Sequence, residues 1–250
     1  MSSISVVIPT RGRPHFLKQA LASILAQSHA PKEIIVVDDG VGAAEAVGGM
    51  SPLITVLDNR ERGPVPARNL GVAQASGDCI CFLDDDDWFT DETYFEKAAQ
   101  AFDRGASFCY ADGIMAFEDG RPSLPFAFHA DAETLALDNT ILISGVVYRR
   151  GLHAELGSFD EALPYYWDWD WYLRIARAGH ELTHVQRPVV AIRVHARNMS
   201  GESLEAQRRA NLDRFSTKHR LPPIPLKNHL DIATQAPGKL PVQTENSATI

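Results

Sequence analysis

The chain has 250 residues, 45% hydrophobic and 22% charged, which excludes wholesale disorder and leaves room for one large domain or two small ones. Its 24 Lys+Arg against 32 Asp+Glu give a net charge of −8, which argues against nucleic acid as a partner but leaves a small phosphorylated ligand open. Three cysteines, Cys79, Cys81 and Cys109, are too few for a disulfide framework in a chain this long and fit a reducing cytosol as buried thiols.

Residues 4–8 are a short β-rich run that ends in Pro9-Thr10. Pro14 then opens a helical pattern in which Phe16, Leu17, Ala20, Leu21, Ile24 and Leu25 recur on one face. Pro31 closes that unit, and residues 33–37 form a nearly continuous apolar strand ending in Asp38-Asp39-Gly40, as in a sheet buried on both faces. Residues 54–57 predict a third strand, 66–75 a helix opened by Pro66, and 79–83 a fourth strand running into Asp84, Asp85, Asp86 and Asp87. Residues 91–104 read as a helix with acidic residues at its positive N-terminus and Gly105 at its end. Alternation of this kind predicts an α/β fold with a mainly parallel central sheet flanked by helices.

The second half is less regular. Residues 107–110, 114–117, 145–148, 181–185 and 189–194 read as strands, and 168–178 as a helix ended by Gly179. From Leu221 the character changes: five of the 15 prolines fall in the last 30 residues, and no aromatic residue follows Phe215. We expect a body over residues 1–220 and an extended Pro-rich tail over 221–250, packed on the body near Leu226 and Leu230. No apolar run approaches the roughly 20 residues of a membrane helix, and Met1-Ser2-Ser3-Ile4 lacks the basic segment of a secretory signal, so the expected location is the cytoplasm.

Open α/β sheets bind ligands beyond the carboxyl ends of their strands. Here those ends carry Thr10-Arg11, Asp38-Asp39 and the four aspartates 84–87. Charges about 4–7 Å apart repel by up to several kcal/mol at intermediate dielectric, so four carboxylates need solvent, a helix start or a cation. An acidic loop and a divalent-cation site are both open; oxygen donors of this kind suit Mg²⁺ or Mn²⁺ shared with phosphate. The chain lacks a Gly-x-x-x-x-Gly-Lys-Ser/Thr loop, a Gly-x-Gly-x-x-Gly turn after the first strand and a Gly-x-Ser-x-Gly elbow, so P-loop, nicotinamide and hydrolase chemistries are not indicated.

An ordered set of segments carries a resemblance: Val6-Val7-Ile8-Pro9-Thr10-Arg11, Val36-Val37-Asp38-Asp39-Gly40, Gly63 with Ala67-Arg68-Asn69-Leu70-Gly71, and Gly77-Asp78 leading into the aspartates. They resemble the nucleotide-sugar half of family 2 inverting glycosyltransferases with the GT-A fold, over roughly residues 3–200. The resemblance implies a single nucleotide-diphospho-sugar-binding domain, with residues 1–112 as the donor half and 113–220 as the acceptor half. It assigns Pro9, Thr10, Arg11, Asp39, Arg68, Asp84 and Asp85 to the nucleotide sugar, with Asp86 and His195 on a divalent cation, Mn²⁺ or Mg²⁺. His195 opens a segment through Arg197 and Ser200 that is similar to the family's late His…Ser segment.

Gly157-Ser158-Phe159-Asp160-Glu161, followed by Trp167-Asp168-Trp169-Asp170, is similar to the acceptor region of that family. Trp167 stands where the family has Glu; Asp168 keeps the position of the general base, which must take a proton from the acceptor hydroxyl. On its own, Asp168 equally reads as a helix cap, and His195 as a structural histidine. Tyr166, Trp167 and Trp169 read either as core or as a surface that stacks on an acceptor.

The resemblance implies metal-dependent, inverting transfer from a nucleoside diphosphate sugar, with UDP the expected nucleotide, to a saccharide, lipid-linked or small-molecule acceptor. The setting would be bacterial polysaccharide or glycoconjugate synthesis, and peripheral membrane association and a homodimer are compatible with it. The alternatives are a degenerate nucleotide-sugar or glycan-binding module and a sugar nucleotidyltransferase. The donor base and the acceptor depend on loops such as 42–52 and 121–139, whose shapes do not follow from sequence.

Overall fold

The computed structural model describes residues 1–195 and 204–235; Arg197, Ser200, Pro237 and Pro241 lie outside the described residues. The chain begins with β1 (Ile4–Thr10), α1 (Pro14–Leu25), β2 (Glu33–Asp38), α2 (Ala43–Val47), β3 (Ile54–Asp58), α3 (Pro64–Gln74) and β4 (Cys79–Phe82). There follow β5 (Trp88–Phe89), α4 (Tyr94–Asp103), β6 (Phe108–Phe117), β7 (Leu124–Phe126), a 3-10 turn (Thr134–Ala136), β8 (Val147–Arg149) and α5 (Leu152–Leu156). The last elements are α6 (Trp167–Arg177), β9 (Leu182–Val194), α7 (Glu205–His219) and α8 (His229–Gln235). Among the described residues no helix is long and apolar enough to cross a membrane.

The strands form one sheet in the order β3-β2-β1-β4-β8-β6-β9-β5, with β7 on β6. The first four strands are mutually parallel, as the alternating pattern predicts; β8 pairs antiparallel to β4 and makes the sheet mixed beyond it. The apolar runs bury both faces with the two-residue period of a strand. Val7, Ile35, Val37, Ile80 and Phe82 enter a core with α3, α5, α6 and α7. Val6, Ile8, Ile34, Val36, Cys79 and Cys81 enter another with α1, α2 and α4. The three cysteines are free and buried, as expected.

Gly71 lets α3 lie close on the sheet, since a Cβ there would stand 2.4 Å from Val7 Cγ1 and 3.2 Å from Val37 Cγ2. The close packing fixes the carboxyl ends of β1 and β2 beside each other. Thr10 pairs with Asp38, and the Asp39 N–H donates to the Thr10 carbonyl at 2.8 Å. β4 flanks β1, so the chain after Phe82 emerges on the same rim.

Several elements differ from expectation. The four short strands expected over 107–117 and 181–194 are two long ones, β6 and β9, running parallel through a register shift at Asp112 and Gly113. Asp112-Gly113 and Pro188 look like breaks in sequence but sit at that irregularity, where a residue without ladder partners is tolerated. α7 carries few apolar residues; Leu212 and Phe215 are its buried hydrophobics. It is held instead by Asp170 of α6, which accepts from His219 Nε2 at 2.8 Å, Lys218 Nζ at 2.7 Å and Arg174 Nε at 2.9 Å. These donors hold the Asp170 carboxyl below its ordinary range despite its burial. The tail expected to be extended contains α8, whose Ile232 and Ala233 are buried with Met115, Phe126, Phe128 and Leu142. Leu226 and Leu230 pack on the body.

Candidate functional site

The turn after β4 presents aspartates 84–87 in three directions. Asp85 faces inward: Thr10 Oγ1 donates to its Oδ2 at 2.6 Å, and Arg13 Nη2 lies 2.6 Å from its Oδ1. Asp86 meets Arg13 and, at 3.0 Å, His195 Nε2, whose ring lies against Phe16 at 5.8 Å between centroids. Asp84 pairs with Arg68, reaching from α3. Asp87 pins the turn: Ser144 Oγ donates to one oxygen at 2.5 Å and the Arg193 N–H to the other at 3.0 Å.

Crowding and burial show in the acidities. Burial pushes the Asp85 carboxyl up to about 6, against the opposing pull of Arg13 and the Thr10 hydroxyl. Asp84 is raised by burial and by Asp86 despite Arg68, and Asp87 is raised well above its ordinary value by burial and by its two neighbours. Asp84, Asp86 and Asp87 each offer a ligand atom within 4.8 Å of the others. All three are oxygen donors, a set that fits a hard divalent cation such as Mg²⁺ or Mn²⁺.

Beside this cluster the end of β2 forms a second acidic corner. Asp38 accepts the Gly40 and Ala43 N–H groups, both at 3.0 Å, and so shapes the turn into α2. Asp39 accepts from Asn59 Nδ2 at 2.6 Å and from the Gly63 N–H at 3.0 Å. Arg11 Nη1 lies 3.9 Å from Asp39 on a side chain 65% exposed, at the open rim; Pro9 and Thr10 are buried behind it.

The residues expected from sequence on the acceptor side gather at the start of α6. Tyr166 caps it with a left-handed backbone, φ 53°. Trp167 lies under the Arg68 guanidinium, 4.5 Å from ring centroid to Cζ, so the aromatic ring at the departing position stacks on the cation that holds Asp84. The Asp168 carboxylate accepts from Asn139 Nδ2 at 3.0 Å. Trp169 is 3% exposed, with its indole N–H on the Leu135 carbonyl at 2.6 Å and its ring 4.5 Å from Phe215, so it is a wall held by the core. A cavity of about 190 Å³ is lined by Arg68 and Asp84 together with Tyr166, Trp167, Asp168 and Trp169.

The structure therefore brings Arg68, Asp84, Asp168 and the three aromatic residues to one cavity, and Thr10, Asp85, Asp86 and His195 to one polar cluster beside it. Pro9, Arg11 and Asp39 stand at the neighbouring strand ends. Three participants were not singled out from sequence: Arg13, which bridges Asp85 and Asp86; Asp87, which shares the oxygen cluster; and Asn139, which holds Asp168. Arg13 had a local signal, since Gly12 (φ 65°) turns the chain immediately before it at the carboxyl end of β1. Asn139 lies in a long loop and had none.

Solved structures share this architecture. A Pyrobaculum calidifontis mannosyltransferase, PcManGT, in complex with GDP-Man and Mn²⁺, superposes with a TM-score of 0.66 at 18% identity, over 89% of this chain and 66% of that one. An S. aureus TarS fragment in complex with UDP-GlcNAc superposes with a TM-score of 0.63 at 20% identity, over 77% of this chain and 59% of that one. The fold is the GT-A glycosyltransferase fold, and the chain spans about two thirds or less of these neighbours.

Residues 5–151 match the model of glycosyl transferase family 2, and the chain belongs to that family. A Bacillus subtilis relative, the uncharacterized glycosyltransferase YwdF, is 39% identical over 90% of this chain and 87% of its own length.

Proposed function

We propose that the chain is a metal-dependent inverting glycosyltransferase that moves a sugar from a UDP-sugar to a saccharide hydroxyl, in polysaccharide or glycoconjugate synthesis. The observation that carries this reading is the shared cavity, lined both by Asp84 with its partner Arg68 and by Asp168 at the start of α6. The complexes of its fold neighbours with UDP-GlcNAc, and with GDP-Man and Mn²⁺, support the donor class and the cation.

Thr10, Arg11 and Asp39 line the strand ends where the nucleoside would lie, Arg68 and Asp84 would border the sugar and diphosphate, and Asp85, buried and turned inward, would position Thr10 and Arg13 beside them. Asp86, with Asp84, Asp87 and His195 around it, would hold Mn²⁺ or Mg²⁺; when bound, the cation neutralises charge on the departing diphosphate. Asp168, oriented by Asn139, takes the proton of the acceptor hydroxyl. The hydroxyl oxygen bonds to the anomeric carbon from the face opposite the diphosphate. The bond to the diphosphate breaks with its electron pair, and one displacement inverts the centre. Tyr166, Trp167 and Trp169 supply apolar walls for the acceptor ring.

Thermal denaturation with UDP, TDP, GDP, CDP and ADP, each with and without Mn²⁺, tests the donor side. A metal-dependent rise with UDP is expected; at 100 times Kd it corresponds to about 2.7 kcal/mol. No rise with any nucleotide would overturn the reading.

A further inference from the structure

The cavity that holds Asp168 has a wall that does not come from the family-matched region. Residues of the C-terminal segment, Pro225, Lys227, Asn228, His229 and Ile232, complete its lining. Three cationic side chains fix that segment in place. Lys227 Nζ donates to both oxygens of Asp138 at 2.7 and 2.8 Å, next in sequence to the Asn139 that holds Asp168. Arg208 Nη2 donates to the Lys227 carbonyl at 2.7 Å, and Arg209 Nη1 to the Ile224 carbonyl at 2.8 Å. Asn228 and Asp231 cap the start of α8 reciprocally, each side chain accepting the other's backbone N–H at 2.9 Å. Ile232 and Ala233 anchor the helix in the small apolar core behind it.

His229 is the first residue of α8 and lines the cavity together with Asp168. One side of its ring is packed edge-on against Phe126, 5.2 Å between centroids. Among the described residues no hydrogen bond reaches either ring nitrogen. Burial lowers its proton affinity and Arg208 lowers it further, while Asp168 pulls the other way; the net direction is down, toward neutral imidazole. A neutral imidazole carries one donor and one acceptor nitrogen, the complement of a hydroxyl that both gives and takes a hydrogen bond. Apolar rings surround these polar groups, as in sites that hold a sugar ring. The cavity, about 190 Å³, is smaller than the ~300–1,000 Å³ of pockets that enclose drug-sized ligands, a size suited to one sugar unit within it.

We propose that segment 224–232 is the acceptor-side wall of the active site and that His229 hydrogen-bonds a hydroxyl of the acceptor's terminal sugar, holding it beside Asp168. The inference rests on the reading of Asp168 as the acceptor base. The recognised ligand class is a neutral saccharide end. Arg68 is paired with Asp84 and Lys227 with Asp138, and the third cation of the lining, Arg208, is held on the Lys227 carbonyl, so each of the three is already engaged within the protein.

The test is calorimetric titration of the full chain, with UDP and Mn²⁺ present, by the methyl glycosides of glucose, galactose, mannose and N-acetylglucosamine. Wild type is expected to bind at least one of them. His229→Ala should weaken that binding about tenfold, the effect of roughly one hydrogen bond. His229→Gln, which keeps a donor and an acceptor, should recover part of it. The UDP-dependent rise in melting temperature should be unchanged in both variants.

Glycoside affinity equal to wild type in His229→Ala would overturn the proposal, as would loss of the UDP response together with glycoside binding, which marks a structural role. Binding of none of the glycosides would also overturn it. Asp168→Asn separates the two readings. If it keeps wild-type turnover, the base assignment fails while the His229 effect on affinity stands. If turnover falls but His229→Ala binds normally, this inference alone fails.

Discussion

On the proposed donor side, four carboxylates follow a single strand, and Arg13, Arg68 and His195 converge on them from three other parts of the chain. On the proposed acceptor side the one carboxylate singled out, Asp168, accepts from a neutral side chain, Asn139, and shares its cavity with Tyr166, Trp167 and Trp169. On the proposed reading, the difference follows from what each side holds: a diphosphate and a cation need dense, compensated charge, and a sugar hydroxyl needs an oriented proton acceptor. The donor side is accordingly built from strand ends, which the sheet aligns, and the acceptor side from a loop, a helix start and a C-terminal segment far apart in sequence.

The largest effect that would break this contrast is on the donor side. Asp86→Asn keeps the side-chain shape but removes the charge that meets Arg13 and His195. Turnover is expected to fall about 10²–10³-fold, by comparison with the loss of a group that stabilises charge in the transition state. The Mn²⁺-dependent part of the UDP response should vanish in denaturation scans. A variant that keeps both would show that the aspartate cluster carries no cation chemistry.

Asn139→Ala should act only on the other side. Loss of the 3.0 Å hydrogen bond frees Asp168 to rotate, and kcat should fall by up to about 10²-fold through misplacement alone, with the UDP response intact. Steady-state kinetics beside the denaturation scan checks it.

A further expected effect, away from the cavity, is on stability. His153 lies in α5, stacked on Trp171 at 4.5 Å, with its Nδ1–H on the Gly157 carbonyl and its Nε2 accepting from Tyr148 Oη at 2.8 Å. Burial lowers its pKa to about 4. The unfolded chain, with an ordinary histidine near 6.5, therefore binds the proton more readily. The contribution of His153 is full above about pH 6.5 and is lost as the pH drops toward 4, by roughly 3 kcal/mol at most. The raised carboxyls of aspartates 84, 85 and 87 act in the opposite direction, equally in wild type and variant. Melting curves from pH 7 to 4, each set against its own value at pH 7, should therefore show wild type losing stability relative to His153→Gln.

Legibility in the sequence followed the same division. β1, β2, β4, α1 and α3 were readable because each apolar run is bounded by Pro, Gly or Asp, and the site residues Thr10, Asp39, Arg68 and Asp84 sit at fixed offsets from those boundaries. α7 was not, because its hold on the body is ionic, through Asp170, and its apolar residues are too sparse to show a period. The directions of aspartates 84–87 were not readable either; Ser144 and Arg193, far along the chain, set the turn. Asn139, Lys227 and His229 reach the cavity only through tertiary packing, which no local pattern encodes.

The most direct measurement is the steady-state kinetics of Asp168→Asn with saturating donor and acceptor, set beside its response to UDP and Mn²⁺. We expect kcat to fall by about 10²–10⁴-fold while the UDP-dependent stabilisation stays at the wild-type value. A variant that turns over at the wild-type rate would contradict the assignment of Asp168 as the acceptor base and, with it, the division of the site into two sides.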